Sequence, residues 1–405
     1  MPNALFFNVP GHGHVAPSLP LVAELTRRGH KITYRVSEGY RAAVEAVGAT
    51  FQPYRTVDDD YFHDRDLHGG RPQKVALELL KTAEEILPDL LASAASTAPD
   101  YILFDGMCPW GYLAAHALHI PAVASLALAP PVSPPPLAMI KLLPVFAPVA
   151  LRDFGAGVRA NDLGRALARR YDAPRPSNFG SLLNCQGDIS ISYTSSEFQP
   201  FADTVPASVR FVGWTMQAAP AGSDGFSFEQ AHGRRLVYVS LGTVNSDNRA
   251  FFQTCVEAFA GVDAFVIMST GRRIAPDSFG TLPENVAIYA WVPQSEVLKR
   301  AALFVTHGGL NSIHDGLYLG LPLLLIPQQE EQTFNAMRVV ELGAGLMLKK
   351  SQVSAVRIRA SAMRLMTEPQ FGVESRRIGD TLRAAGGVSK AADEIELLLA
   401  RKSHS

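Results

Sequence analysis

Short apolar runs alternate with amphipathic stretches along nearly the whole chain. "ALFFNV" (4–9), "KITYRV" (31–36), "YILF" (101–104), "AVASL" (122–126) and "DISISY" (188–193) are bounded by turn residues and read as strands. Between the first two, Leu19, Val22 and Leu25 recur at helical spacing and Gly29 suits a C-terminal cap. Over 213–233 the character changes to small, Gly and Pro residues, as in a linker. The pattern then restarts with "RLVYVSL" (235–241), "AFVIMS" (264–269), "VAIYAWV" (286–292), "ALFVTH" (302–307) and "PLLLIP" (322–327). The tail from Ser354 to Ala400 reads as helix, broken at "AAGGVS". Strands alternating with helices predict mostly parallel sheets covered on both faces. The expected architecture is α/β, with two Rossmann-like domains facing across a cleft. The boundaries are 1–213 for the first domain, 214–233 for the linker and 234–386 for the second. A C-terminal helix over 387–405 is free to pack back on the first domain.

Composition narrows the class. The chain has 405 residues, 47% hydrophobic and 19% charged, which fits two globular cores rather than a disordered or coiled-coil chain. A net charge of −1 offers no overall basic field for nucleic acid or an acidic membrane surface. Cys108, Cys185 and Cys255 are too few and too scattered for a disulfide framework or a zinc site, so a cytoplasmic setting is expected. "MPNALFFNVP" lacks the charge pattern of a signal peptide. His119 to Leu151 carries one charge, Lys141, but eight prolines, so it is expected to form a loop-rich apolar wall and no membrane span.

In open parallel sheets ligands bind beyond the carboxyl ends of the strands. Four loops qualify: "PGHGHVAP", "DGMC", "LGTVNS" and "HGGLNS". The last joins a strand to a helix. Gly308 and Gly309 allow close backbone approach, Asn311 and Ser312 are N-cap types, and a helix N-terminus attracts a diphosphate. His307 adds a donor, Asp315 a carboxylate for ribose hydroxyls, Trp291 a flat face for a base, and Gln294 an amide.

"WVPQ" (291–294), "HGGLNS" (307–312), Asp315 and "PQQEEQ" (327–332) resemble the donor signature of UDP-dependent glycosyltransferases of the GT-B fold, family 1. The bacterial macrolide-glycosyltransferase group is the nearest in pattern. The resemblance covers nearly the whole chain. It implies that Trp291 stacks on uracil and Gln294 bonds the ribose, with Val292 among the donor-binding positions. His307 and the helix amides at Gly309, Asn311 and Ser312 would hold the diphosphate, with Thr243 as a further phosphate contact. Asp315 would hold the ribose hydroxyls, and Glu331 with Gln332 would orient the sugar. Two positions depart from the pattern. The ribose carboxylate is commonly Glu, where this chain has Asp315. Leu310 stands where plant relatives carry Trp, so plant rules for sugar choice do not transfer.

"GHGHV" only partly matches a dinucleotide fingerprint. Gly11 and Gly13 are in place, Ala16 replaces the third glycine, and Glu38 is the nearest later acid. A nicotinamide enzyme is therefore set aside. The resemblance instead places a general base on His14, before Val15, and its orienting carboxylate on Asp105, at the end of a later strand. An imidazole titrates in the right range to take a proton from an attacking hydroxyl, and a carboxylate on its far nitrogen fixes the tautomer. His12 is read as a solvent-facing or structural turn residue.

"DDDYFHDRDLH" (58–68) contains a DxD-like "DRD", which binds Mn²⁺ in another glycosyltransferase architecture. It is read as a solvated acidic loop, because a helix N-terminus and His307 can neutralise the leaving group without a metal. The expectation is no metal and no cofactor beyond the nucleotide-sugar co-substrate. In the resembling family the first domain takes the acceptor, so Phe62, Met107, Trp110 and Phe146 are candidates for an apolar acceptor pocket. The expected reaction is inverting O-transfer of a hexose, taken as glucose, from a UDP-sugar to a macrolide, flavonoid or other polyketide or terpenoid. UDP and TDP remain alternatives, as do monomer and homodimer. A UDP-sugar epimerase and a non-catalytic nucleotide-sugar or aglycone binding protein are the competing functions.

Overall fold

The computed structural model describes residues 1–64, 71–175, 180–216, 228–231, 233–242, 248–271 and 273–402. Contacts divide the chain into two α/β units, Met1–Thr215 with Ala385–Ser405, and Met216–Ala384. The first unit runs to Thr215 and Trp214 is buried, where the sequence pattern begins a linker; most of that linker, 217–227 and 232, lies outside the described residues.

The first unit is built on strands β1 (Asn3–Phe7), β2 (Lys31–Arg35), β3 (Thr50–Gln52), β4 (Tyr101–Asp105), β5 (Ala122–Leu126), β6 (Ile189–Ser192) and β7 (Val209–Phe211). They pair in parallel in the order β3-β2-β1-β4-β5-β6-β7. Every residue of β4 and β5 is buried, as a sheet covered on both faces requires. The helix α1 (His12–Arg27) follows β1 directly. It closes in a Schellman turn: Gly29 adopts φ 92°, its N–H donates to Thr26 O, and the N–H of His30 donates to Leu25 O. The helix Gly387–Lys402 packs against α1, where Arg28 reaches Asp393 at 2.6 Å and Glu396 at 2.9 Å. Lys390 Nζ donates to Phe211 O on β7 at 3.0 Å.

The second unit carries β8 (Leu236–Ser240), β9 (Phe265–Ser269), β10 (Val286–Tyr289), β11 (Ala301–Thr306), β12 (Leu323–Leu325) and β13 (Gly345–Met347), all parallel, in the order β10-β9-β8-β11-β12-β13. The helix α2 (Leu310–Tyr318) follows β11.

The structure corrects three sequence expectations. The strands β3, β7 and β13 are absent from the sequence pattern; each has three residues and lies at a sheet edge, too short for a period-2 alternation to register. The second half of the Pro-rich wall is helical, since Pro136–Arg152 forms one helix. Pro136 opens it, where a missing N–H costs nothing; Pro144 and Pro148 each forfeit one rung without ending it. Among the described residues no helix is long and apolar enough to cross a membrane. Third, the cap of α2 is Gly309, with Asn311 and Ser312 inside its first turn. Gly309 takes extended backbone angles of φ −63° and ψ 140°.

Both sheets reverse their strand order beside their first strand, between β1 and β4 and between β8 and β11. Loops leaving two such adjacent strands diverge to opposite faces and open a crevice between them. The candidate chemistry of each unit gathers there.

Candidate active site

In the first unit β1 leads through Val9–Gly11 into α1, which sets His14 in the first helical turn. Asp105 closes β4, the neighbour of β1. His14 Nδ1 lies 3.0 Å from both carboxylate oxygens of Asp105. The Asp105 side chain is 1% exposed and that of His14 17%. The N–H of Met107 donates to Asp105 Oδ1 at 2.8 Å, so the carboxylate is held from its own turn as well. A carboxylate only accepts, so Nδ1 carries the proton and Nε2 is the basic nitrogen of the neutral ring. Gly11 keeps this approach open: a Cβ there would stand 3.1 Å from His14 Cδ2. His12, expected in a turn, is instead the first residue of α1, where it is exposed.

In the second unit His307 follows β11 and its ring lodges between two glycine backbones. A Cβ on Gly242 would come within 2.6 Å of His307 Cε1, and one on Gly309 within 2.5 Å of Nε2. Gly242 also adopts φ +75°. Desolvation lowers the His307 pKa to about 4, so near neutrality the ring is a neutral hydrogen-bonding group. The first-turn N–H groups of α2 at Leu310, Asn311 and Ser312 have no carbonyl four residues earlier within the helix, and no acidic side chain occupies that turn. This is the electrostatic form of an anion cradle.

Gln294 and Asp315, 21 positions apart, meet: Gln294 Nε2 donates to Asp315 Oδ2 at 2.9 Å. Tyr238, stacked on Phe304 at 5.1 Å, donates its hydroxyl to Gln294 Oε1 at 3.4 Å. Trp291 is 41% exposed, a large aromatic face left to solvent, while Val292 beside it is buried. Glu331 and Gln332 open the helix Glu330–Glu341. Glu331 Oε1 accepts from Asn335 Nδ2 at 2.7 Å, and Gln332 Oε1 accepts from the N–H of Gln328 at 2.9 Å. Gln332 is buried, and what it has to offer a sugar is its Nε2 amide. Thr243 lies outside the described residues. Sequence reasoning misses Gly242 and Tyr238. The glycine in "SLGT", directly after a strand, is the available signal for Gly242; Tyr238 reads as any other aromatic of a buried strand.

The comparisons with known proteins bear on this constellation. The family described as erythromycin biosynthesis protein CIII-like, C-terminal domain, matches residues 253–395. An NDP-glycosyltransferase, YjiC of Bacillus licheniformis, is 33% identical over 97% of both chains. The chain belongs to the nucleotide-sugar-dependent glycosyltransferases. The oleandomycin glycosyltransferase of Streptomyces antibioticus is 30% identical to this glycosyltransferase over 96% of its chain and 89% of the relative. The solved kitacinnamycin glycotransferase superposes with a TM-score of 0.83 at 29% identity, covering 98% of this chain and 99% of the other. The two parallel-sheet α/β units are thus those of the GT-B fold.

Of the acceptor candidates in this glycosyltransferase, Trp110 is a core residue. It is fully buried, packs edge-on against Tyr54 at 5.9 Å and donates its indole N–H to the Tyr54 hydroxyl at 3.0 Å. Its place within the buried core cluster of the first unit, on the helix Pro109–Ala117, decides this. Phe62 is half-buried against Tyr61, and Met107 is buried beside Asp105. Phe146 falls within the helix Pro136–Arg152, but its side chain lies outside the described residues. In the acidic loop Asp59 accepts from Ser37 Oγ and from the N–H of Gly39, which ties it to the turn that follows β2. The side chains of "DRD" (64–66) lie outside the described residues. Among the described residues no group of His, Cys, Asp and Glu is arranged to hold a metal.

Proposed function

We propose that this glycosyltransferase moves a hexose, glucose in the first instance, from a UDP-sugar to a hydroxyl of an apolar acceptor, with inversion at the anomeric carbon and His14 as general base. The observation that carries the reading is the 3.0 Å contact of His14 Nδ1 with both oxygens of a buried carboxylate. That arrangement holds a neutral imidazole with Nε2 basic and stabilises the imidazolium once a proton arrives. The acceptor O–H gives its proton to Nε2 as its oxygen forms the bond to the anomeric carbon. The bond from that carbon to the diphosphate oxygen breaks and UDP leaves with the electron pair. Attack opposite the leaving group turns an α-linked donor into a β-glycoside.

The donor reading draws on the second unit. Trp291 offers the uracil a face, Gln294 and Asp315 the ribose a paired amide and carboxylate, and His307 with the first turn of α2 the diphosphate. Relatives named as UDP-glucosyltransferases favour UDP-glucose, and one named for oleandomycin favours a macrolide-type acceptor. The test is a mass-spectrometric screen of UDP-glucose and TDP-glucose against macrolide and phenolic acceptors, with wild type, His14→Ala and an acceptor-free control. Acceptor-dependent, His14-dependent hexosylation is expected. Turnover of the donor into an isomeric sugar nucleotide without acceptor would replace this reading with an epimerase.

A further inference from the structure

We infer that Asn8, Tyr34 and Ser18 form a dedicated positioning network for His14, a role that rests on the reading of His14 as base. All three side chains are fully buried. Asn8 follows β1, and its Oδ1 accepts from the N–H of Val9 at 2.8 Å. Its Nδ2 donates to the Tyr34 hydroxyl at 2.7 Å and to the carbonyl oxygen of His14 at 3.3 Å. The Tyr34 and Ser18 hydroxyls are 2.8 Å apart, and Ser18 Oγ donates to the carbonyl of Val15 at 2.7 Å. Ser18 has one proton and spends it on Val15, so it accepts from Tyr34, which in turn accepts from Asn8. The result is a chain of one polarity, running from the end of β1 through β2 to the carbonyls of residues 14 and 15.

The first turns of α1 need such an anchor. Pro17 and Pro20 lie within the helix and have no N–H, so the rungs to the carbonyls of Gly13 and Ala16 cannot form. The N-cap, Gly11, gives no side-chain cap bond. Two ladder bonds and a cap are thus missing in the segment that must hold an imidazole at 3.0 Å from Asp105. Stability alone would be served as well by an apolar trio, since replacing both partners of a buried hydrogen bond with apolar groups is nearly neutral. A misplaced base, by contrast, costs rate steeply.

The test uses the full chain with Tyr34→Phe, Ser18→Ala and Ser18→Thr, each alone and the first two also in a His14→Ala background. Tyr34→Phe and Ser18→Ala are expected to lower kcat by roughly 10-fold to 10²-fold. KM for the nucleotide sugar should stay unchanged, and Ser18→Thr, which keeps the hydroxyl, should retain activity. In the His14→Ala background neither substitution should lower the residual rate further. The proton resonance of His14 Nδ1–H, assigned by its loss in Asp105→Asn, should broaden or shift in Tyr34→Phe. Wild-type kcat in both Tyr34→Phe and Ser18→Ala, or an equal fractional loss with and without His14, overturns the positioning role. Wild-type turnover by His14→Ala would instead overturn the base itself, so the two failures are distinguishable.

Discussion

The two units share a strand order around their first strand yet divide the labour in that crevice oppositely. In the first, the element after β1 supplies an imidazole and the adjacent strand β4 supplies a carboxylate. In the second, the adjacent strand β11 leads to the imidazole, and the turn after β8 supplies vacant space, the missing Cβ of Gly242. One crevice sets a ring against a buried charge; the other sets a neutral ring beside backbone amides. On the proposed reading the same topology would serve proton transfer in one unit and anion binding in the other, because the crevice is fixed by strand order while its chemistry is fixed by a handful of side chains.

If that contrast is right, damage to the first unit should reach kcat and damage to the second should reach donor affinity. The largest effect is expected from His14→Ala, a loss of about 10²–10⁴ in kcat, with UDP affinity by calorimetry unchanged. A parallel loss of UDP binding would erase the division. Next, Gly309→Ala forces a Cβ to 2.5 Å from His307 Nε2. Displacing the ring would remove its hydrogen bond to the diphosphate, and a loss of about 1.5–3 kcal/mol corresponds to a donor Kd weakened by roughly 10- to 150-fold, with kcat at saturating donor little changed. Unaltered donor titrations would show that the ring of His307 does not touch the diphosphate.

A third measurement sharpens the contrast through stability. His314 on α2 is fully buried, and desolvation alone lowers its pKa to about 3. The unfolded chain protonates it below about 6.5, so its neutral burial costs stability progressively as pH falls from there towards 3. At pH 5 the difference is about 2 kcal/mol. Denaturant titrations at pH 7 and pH 5 should therefore show a smaller pH-dependent loss for His314→Gln than for wild type; equal losses would mean that the ring is protonated in the fold. The smallest expected effect is none: EDTA should leave turnover unchanged, because on the proposed reading the first turn of α2 and His307 would take the leaving charge. Inactivation by chelator with rescue by Mn²⁺ would return attention to the acidic loop at 58–68.

The sequence was most legible where local pattern and local chemistry coincide. Central strands such as β4 and β11 announce themselves by apolar runs, and "WVPQ" and "HGGLNS" by residue types packed into a short span. Edge strands of three residues carry no period to detect. Trp110 illustrates a different limit. An aromatic in an apolar segment reads equally as pocket wall or core, and only the side of the helix on which it falls decides. Prolines misled in the other direction, since Pro136–Arg152 is helical despite three of them.

By itself the sequence determined the α/β class, the alternation that builds parallel sheets, and the family, because periodicity and short motifs are properties of neighbouring residues. The family resemblance already pairs His14 with Asp105 across 91 positions, and the structure supplies the contact; the tertiary structure alone decided that Gln294 meets Asp315, His307 meets Gly242, and Asn8 meets Tyr34 and Ser18. Those meetings depend on strand order and on which face of an element a side chain leaves from. Neither is encoded in the spacing of residues along the chain.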